Sequence, residues 1–180
     1  MKHIFSISTL VVLTSAFASS APLTQRTTSG FQATAFWNID NPQPAPILTP
    51  NGTLSPQISI QDGSNEVDSI VSFSIPDIGQ TASSTCQFSI QNIPAPTGSG
   101  IVQLFTLGAP VSSPLTSVPY ENQYMGQYAI DAQGNSTPLD VVNVPCVVGD
   151  MQFLIRPQNT DDSISWTQTA TVGAFIEVTV

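Results

Sequence analysis

Basic side chains are almost missing from this 180-residue chain. It carries three lysines and arginines in total and one histidine, against twelve aspartates and glutamates. The single lysine, Lys2, and the single histidine, His3, stand at the extreme N-terminus, inside a stretch that reads as an export signal. Lys2 supplies a short positive region, Ile4 to Leu13 is mostly apolar, and Ala16-Phe17-Ala18 has the small-x-small form that signal peptidase reads. These features predict a signal peptide over residues 1–18 and a secreted product, extracellular or in the cell wall. A membrane anchor needs ~20 apolar residues, and this run is shorter and broken by Ser6, Ser8 and Thr9.

Removal of that segment excludes several activities. Arg26 and Arg156 are then the only basic residues against twelve acidic ones, a net charge of −10. Such a surface repels a phosphate backbone and anionic headgroups, so neither nucleic acid nor a membrane is an expected partner. Without histidine, a Ser-His-Asp or Cys-His relay has no base of the usual kind. Without lysine there is no Schiff base. No glycine-rich phosphate loop is present, and carboxylates with two cysteines make an atypical zinc set. No cofactor and no metal are expected, and only carboxylate chemistry stays open. Trypsin-like proteases find almost nothing to cut, since Arg156 precedes Pro157.

Cysteine is scarce as well. Two cysteines in an exported chain are expected to pair, so Cys86 and Cys146 predict one disulfide. The alternative, a reactive thiol, wants a positive neighbour, and Arg156 is the only nearby candidate. Asn51-Gly52-Thr53 and Asn135-Ser136-Thr137 are glycosylation acceptors.

What is abundant is strand patterning punctuated by proline and glycine. Val67, Val71, Phe73 and Ile75 share one parity while Asp68, Ser72 and Ser74 share the other, the period of a strand with one face in a core and one in water. A turn at Pro76, Asp77 and Gly79 leads to Cys86, Phe88 and Ile90 on a second such strand. Upstream, Phe31, Ala33, Ala35, Trp37 and Ile39 alternate as one candidate strand, followed by Pro42, Pro44, Pro46, Pro50 and Pro56. Residues 19–57 are therefore expected to form an N-terminal arm and proline-rich strap, and residues 58–180 the folded domain. Ile101 to Leu107 reads as a strand buried on both faces for part of its length. Residues 109–125 read as a loop that packs down on the domain, with Tyr120 and Tyr124 near its end. Gln127–Ile130, Leu139–Val144, Met151–Ile155, Ile164–Trp166 and Gly173–Val180 complete the set. With no amphipathic helix after the signal, the fold is expected to be all-β: a single antiparallel β-sandwich or jelly roll.

A family resemblance rests on several of these pieces. Ser72-Phe73-Ser74-Ile75-Pro76, Gly79 and Thr85-Cys86-Gln87-Phe88 resemble the "FxIP…G…TCxLxF" pattern of a fungal secreted family. Its shared module is named the ubiquitin-3-binding-protein C-terminal domain. Gly98-Ser99-Gly100-Ile101, Val144-Pro145-Cys146-Val147-Val148-Gly149 and Gly173-Ala174-Phe175-Ile176 are similar to its later elements, so the likeness runs from about Asp68 to Val178. The stretch Trp166 to Val172 and the lack of a terminal cysteine depart from it. The resemblance implies an extracellular or cell-wall fungal β-sandwich and carries over no catalytic residues.

Three functions remain in competition. One is a non-enzymatic secreted glycoprotein with a structural or surface-interaction role. Another is a module that binds cell-wall polysaccharide on Trp37, Trp166, Tyr120 or Tyr124; in the first two cases another extracellular protein is also an eligible partner. The third is a carboxylate-based acid hydrolase, for which Asp161-Asp162 is the only adjacent acidic pair.

Overall fold

The structure, a computed structural model, describes residues 27–41, 47–49, 51–63 and 65–180. The expected signal peptide, Arg26 and most of the proline cluster lie outside the described residues. Twelve strands, and no helix among the described residues, make up the fold. They are β1 (Thr28–Asp40), β2 (Ile47–Leu48), β3 (Gln57–Gln61), β4 (Asn65–Ile75), β5 (Thr85–Gln91) and β6 (Ile101–Leu107). Then follow β7 (Glu121–Ile130), β8 (Ser136–Pro138), β9 (Val144–Pro145), β10 (Gly149–Pro157), β11 (Ser163–Ser165) and β12 (Gly173–Thr179). Every pairing is antiparallel. The main path β8-β7-β6-β10-β4-β1-β12-β5-β9 is one curled sheet that folds over into a sandwich.

β1 makes the corner. Residues Thr28 to Gln32 pair with β12, and after a bulge between Ala33 and Ala35 the strand pairs with β4 as far as Asp40↔Val67. The extra residue, Thr34, donates its hydroxyl to the Ser72 carbonyl at 3.1 Å. A bulge of this kind bends a strand and strengthens its twist, which is how one strand serves two layers. Two expectations are corrected here. The domain cannot begin at residue 58, because β1, assigned to an arm, joins the two layers and pairs on both sides. The alternation through Trp37 is also broken. The bulge flips parity, so Ala33 and Phe36 enter the main core while Trp37 and Ile39 leave it.

The main core lies between the layers. Val71, Phe73 and Ile75 from β4, Phe153 and Ile155 from β10, and Val102 and Leu104 from β6 meet Cys86, Phe88 and Ile90 from β5 and Ala174, Ile176 and Val178 from β12. For β4, β5, β10 and β12 these are the parities read from the sequence; for β6 the expectation was burial on both faces, without a parity. Edge-to-face contacts run through the centre, with ring centroids 6.2 Å apart for Phe73–Phe88 and 5.2 Å for Phe88–Tyr128. Such pairs contribute roughly 0.5–1.5 kcal/mol beyond their area burial. β4 and β5 do not form a hairpin; the chain between them crosses from one layer to the other. Cys86 and Cys146 form the expected disulfide, with Cα atoms 5.1 Å apart, which ties the segment after β9 into this core.

The two loose ends of the curled sheet are stitched by side chains. Near β5, the amides of Ile90 and Asn92 donate to Ser136 Oγ (2.8 Å) and Asn135 Oδ1 (3.1 Å). Gln168 plays a similar part at β12. Its side-chain amide accepts from the Ala174 N–H at 2.8 Å and donates to the Ala174 carbonyl at 3.2 Å, in place of a neighbouring strand.

Candidate functional site

The outer face of β4 was expected to meet water, yet Asp68, Ile70 and Ser72 are buried. The reason is a second apolar layer. Trp37, Ile39, Ile70 and Leu154 form a small cluster outside the sheet, and Leu115 from the β6–β7 connection covers it. That connection, residues 109–120, is the loop expected to pack down, and it does. Gln152 on β10 fastens it by accepting from the Val111 N–H at 2.7 Å and donating to the Val111 carbonyl at 2.9 Å. Ser113 adds a bond from the Gly52 N–H at 3.4 Å.

At one end of this layer the chemistry turns polar. Strand alternation places Glu66 and Asp68 on the same outer face of β4, and β10 brings Arg156 alongside them. Arg156 is the one basic side chain among the described residues. Its Nε and Nη2 donate to Glu66 Oε1 at 2.9 and 2.7 Å, and its Nη1 donates to Glu121 at the start of β7. Asp68 comes third, with Oδ2 3.5 Å from Arg156 Nε, and accepts from Asn41 Nδ2 at 3.0 Å. Its Oδ1 has no hydrogen-bond partner. Burial and then the neighbouring Glu66 charge push its carboxyl up to about 8, against the opposing pull of Arg156 and Asn41. The guanidinium is spent on the two glutamates, so its attraction does not outweigh the cost of a buried charge.

Replacing Arg156 with methionine is expected to destabilise the protein by about 2–3 kcal/mol at pH 7, since it leaves partly buried carboxylates without a counter-charge. The figure sits below that of a fully buried pair because Glu121 is 38 % exposed and solvent screens it. Urea denaturation measures it; a loss under about 0.5 kcal/mol would show the cluster behaving as an ordinary solvated one.

Beside the cluster stands Tyr120, 68 % exposed. Its ring lies over Gly108: a Cβ added there would clash with the ring carbons Cε1, Cε2 and Cζ. The Gly108 N–H donates to the Tyr120 carbonyl at 3.0 Å, and the phenol reaches the Gly108 carbonyl at 3.4 Å. One ring face is therefore supported by backbone while most of the residue meets solvent. Between Tyr120 and Arg156 opens a cleft of about 490 Å³ whose polar lining is Asn41, Glu66, Asp68, Glu121 and Arg156. That volume suits a small ligand.

The other residues singled out from the sequence lie elsewhere. Trp37 and Trp166 are buried, so neither indole offers a stacking face. Trp37 sits beneath the 109–120 connection, and Trp166 packs edge-on against Phe36 at 5.6 Å and donates to Gln168 Oε1. Tyr124 is on β7, since that strand starts at Glu121 within the expected loop. Its hydroxyl is held by both Asp140 carboxylate oxygens at 3.0 Å, and its ring packs on Phe105. Asp161 and Asp162 belong to a turn. Asp162 is fully buried and accepts from Ser99 and Asn159, while Asp161 caps the Asp62 N–H. Asn51 is exposed, whereas Asn135 is half-buried and engaged with Asn92. The residues sequence reasoning missed are Glu66, Asp68 and Glu121. A signal existed for two of them: Glu66-Val-Asp68 at strand spacing, opposite the lone arginine of another apolar strand.

Among the described residues, no group of three or more His, Cys, Asp or Glu side chains is arranged to hold a metal ion. No helix among them is long and apolar enough to cross a membrane. No family model matches the chain, and no match emerges among curated proteins.

Proposed function

We propose that this chain is a secreted, non-enzymatic glycoprotein of fungal type, acting outside the cell or in the cell wall through surface interaction, with polysaccharide as the favoured partner. The observation that carries the reading is Tyr120, an exposed aromatic ring supported on Gly108 at the mouth of a cleft lined by planar polar side chains. Sugars are recognised by that combination: an aromatic face for the apolar side of the ring, and fixed polar groups for the hydroxyls. The Cys86–Cys146 disulfide supports an oxidising, extracellular setting. The carboxylates that could do acid chemistry are instead engaged on Arg156. Polysaccharide pull-down tests the reading. Retention on a wall polymer, lost in Tyr120→Ala with an unchanged melting temperature, is the expected result; no retention on any polymer would count against it.

A carboxylate-based acid hydrolase is the second reading. What favours it is Asp68, a carboxyl kept protonated beside an acidic neighbour, Glu66.

Of the two acceptor sites, Asn51 is expected to carry a glycan and Asn135 to carry little or none, because the Asn135 side chain is held within a tight turn by the Asn92 amide. Asn51→Gln should remove a mass step on a gel after secretion, and Asn135→Gln should leave the mobility unchanged. The reverse pattern would overturn this assignment.

A further inference from the structure

The cleft beside Tyr120 has a charge imbalance that narrows the class of ligand. Two carboxylates, on Glu66 and Glu121, and the protonated carboxyl of Asp68 face one guanidinium. Three of the five N–H groups of that guanidinium already donate to these carboxylates, so its charge is already matched and its side-on fork is taken by Glu66. An anionic sugar meets the surplus carboxylate charge instead of an unpaired cation. Asp68 adds a separate observation. Its side chain is 6 % exposed, its Oδ1 has no hydrogen-bond partner, and it lines this cleft. A buried polar oxygen without a partner is a standing cost at the wall of this cleft. The chain as a whole, at formal charge −9, attracts cations toward the same cleft.

The aromatic platform supplies the other half of the recognition. The supported ring presents its electron-rich face at the edge of a negative cleft, an arrangement that favours a cation held near an apolar ring. Its hydroxyl contacts only the Gly108 carbonyl, so the ring, and not the hydroxyl, is the recognition element.

We propose that the cleft between Tyr120 and Arg156 binds a saccharide carrying a primary ammonium group, with the sugar ring on Tyr120 and the ammonium directed to the carboxylates of Glu66 and Glu121. This rests on the surface-interaction reading above and names its ligand class. Gly108 is then a specificity determinant without touching the ligand: any side chain there lifts Tyr120 off its support.

Calorimetric titration at pH 6 with a β-1,4-linked glucosamine hexamer, its fully N-acetylated counterpart, a neutral glucose hexamer and a lysine hexamer tests the proposal. The amino form is expected to bind at least tenfold more tightly than the acetylated and neutral forms. Tyr120→Ala and Gly108→Ala should each weaken it at least tenfold with unchanged melting temperature, while Tyr120→Phe should keep it. Gly108 is suited to this test because the atoms a methyl would meet belong to the movable Tyr120 ring. Equal or tighter Tyr120-dependent binding of the acetylated or neutral hexamer would overturn the ammonium specificity and leave the interaction reading standing. Amino-sugar binding that ignores Tyr120, or is matched by the lysine hexamer, would overturn the site. Binding of no saccharide would overturn both.

Discussion

Asp68→Asn is expected to stabilise the protein at pH 8, to leave it nearly unchanged at pH 4, and to flatten the pH dependence between. Asp68 is 4 % exposed, and its carboxyl is pushed from 3.8 to about 8, first by burial and then by Glu66. The folded protein thus holds this proton more tightly than the unfolded chain does. The stabilisation is fully present below about pH 4 and is lost as pH rises toward 8. Each pH unit in that window costs on the order of 1 kcal/mol for one proton. Asparagine has the shape of the protonated acid, keeps an oxygen for Asn41 Nδ2, and carries no charge to desolvate. Urea denaturation of both proteins at pH 4, 6 and 8 measures the effect. Parallel profiles would show that Asp68 ionises as freely in the folded protein as in the unfolded one.

Loss of the disulfide is the other large effect. Cys86→Ala with Cys146→Ala, or reduction of the native protein, is expected to cost about 4 kcal/mol, the chain-entropy value for a loop of the observed separation of 60 residues. Local structure argues for the full amount. β9 contributes only two register pairs, Thr85↔Pro145 and Cys86↔Val144, to hold its segment on β5. Leu139, Val142, Val147 and Val148 on the same stretch are exposed and bury little. Residues 139–142 are held to β7 independently, by the Leu139 and Val142 N–H groups donating to the Gln127 and Met125 carbonyls and by Asp140 accepting from Tyr124 and Gln127, so the local work of the crosslink falls on residues 143–148. The shift in urea midpoint between the oxidised protein and the double variant reads this directly, and a loss below 1 kcal/mol would mean that β9 is held by other contacts.

The architecture was legible wherever one strand kept one parity. Val71, Phe73 and Ile75, Cys86, Phe88 and Ile90, and Ala174, Ile176 and Val178 all face the core as their alternation requires. The reading failed at Thr34, because a bulge is a single residue with no distinctive composition, and it moves every later side chain of β1 to the other face. Trp37 was therefore open to a sugar-binding reading when it is part of a covered apolar layer. Two glutamines, Gln152 and Gln168, bond to backbone as substitute strands, and nothing local distinguishes such a glutamine from a solvated one. The Arg156 cluster draws on residues 66, 68, 121 and 156, a juxtaposition that exists only once β4, β7 and β10 are in place. Tyr120 was visible as a candidate. What supports its ring, the missing side chain of Gly108 beneath it, was not.

The central claim is that this cleft recognises a sugar polymer and leaves it intact. Co-sedimentation of the protein with insoluble wall polysaccharide at pH 5, with reducing ends counted in the same tube over a day, tests it most directly. The account predicts that protein leaves the supernatant in a Tyr120-dependent way while the reducing-end count stays at the level of polymer alone. A rising count that Asp68→Asn or Glu66→Gln abolishes would contradict it.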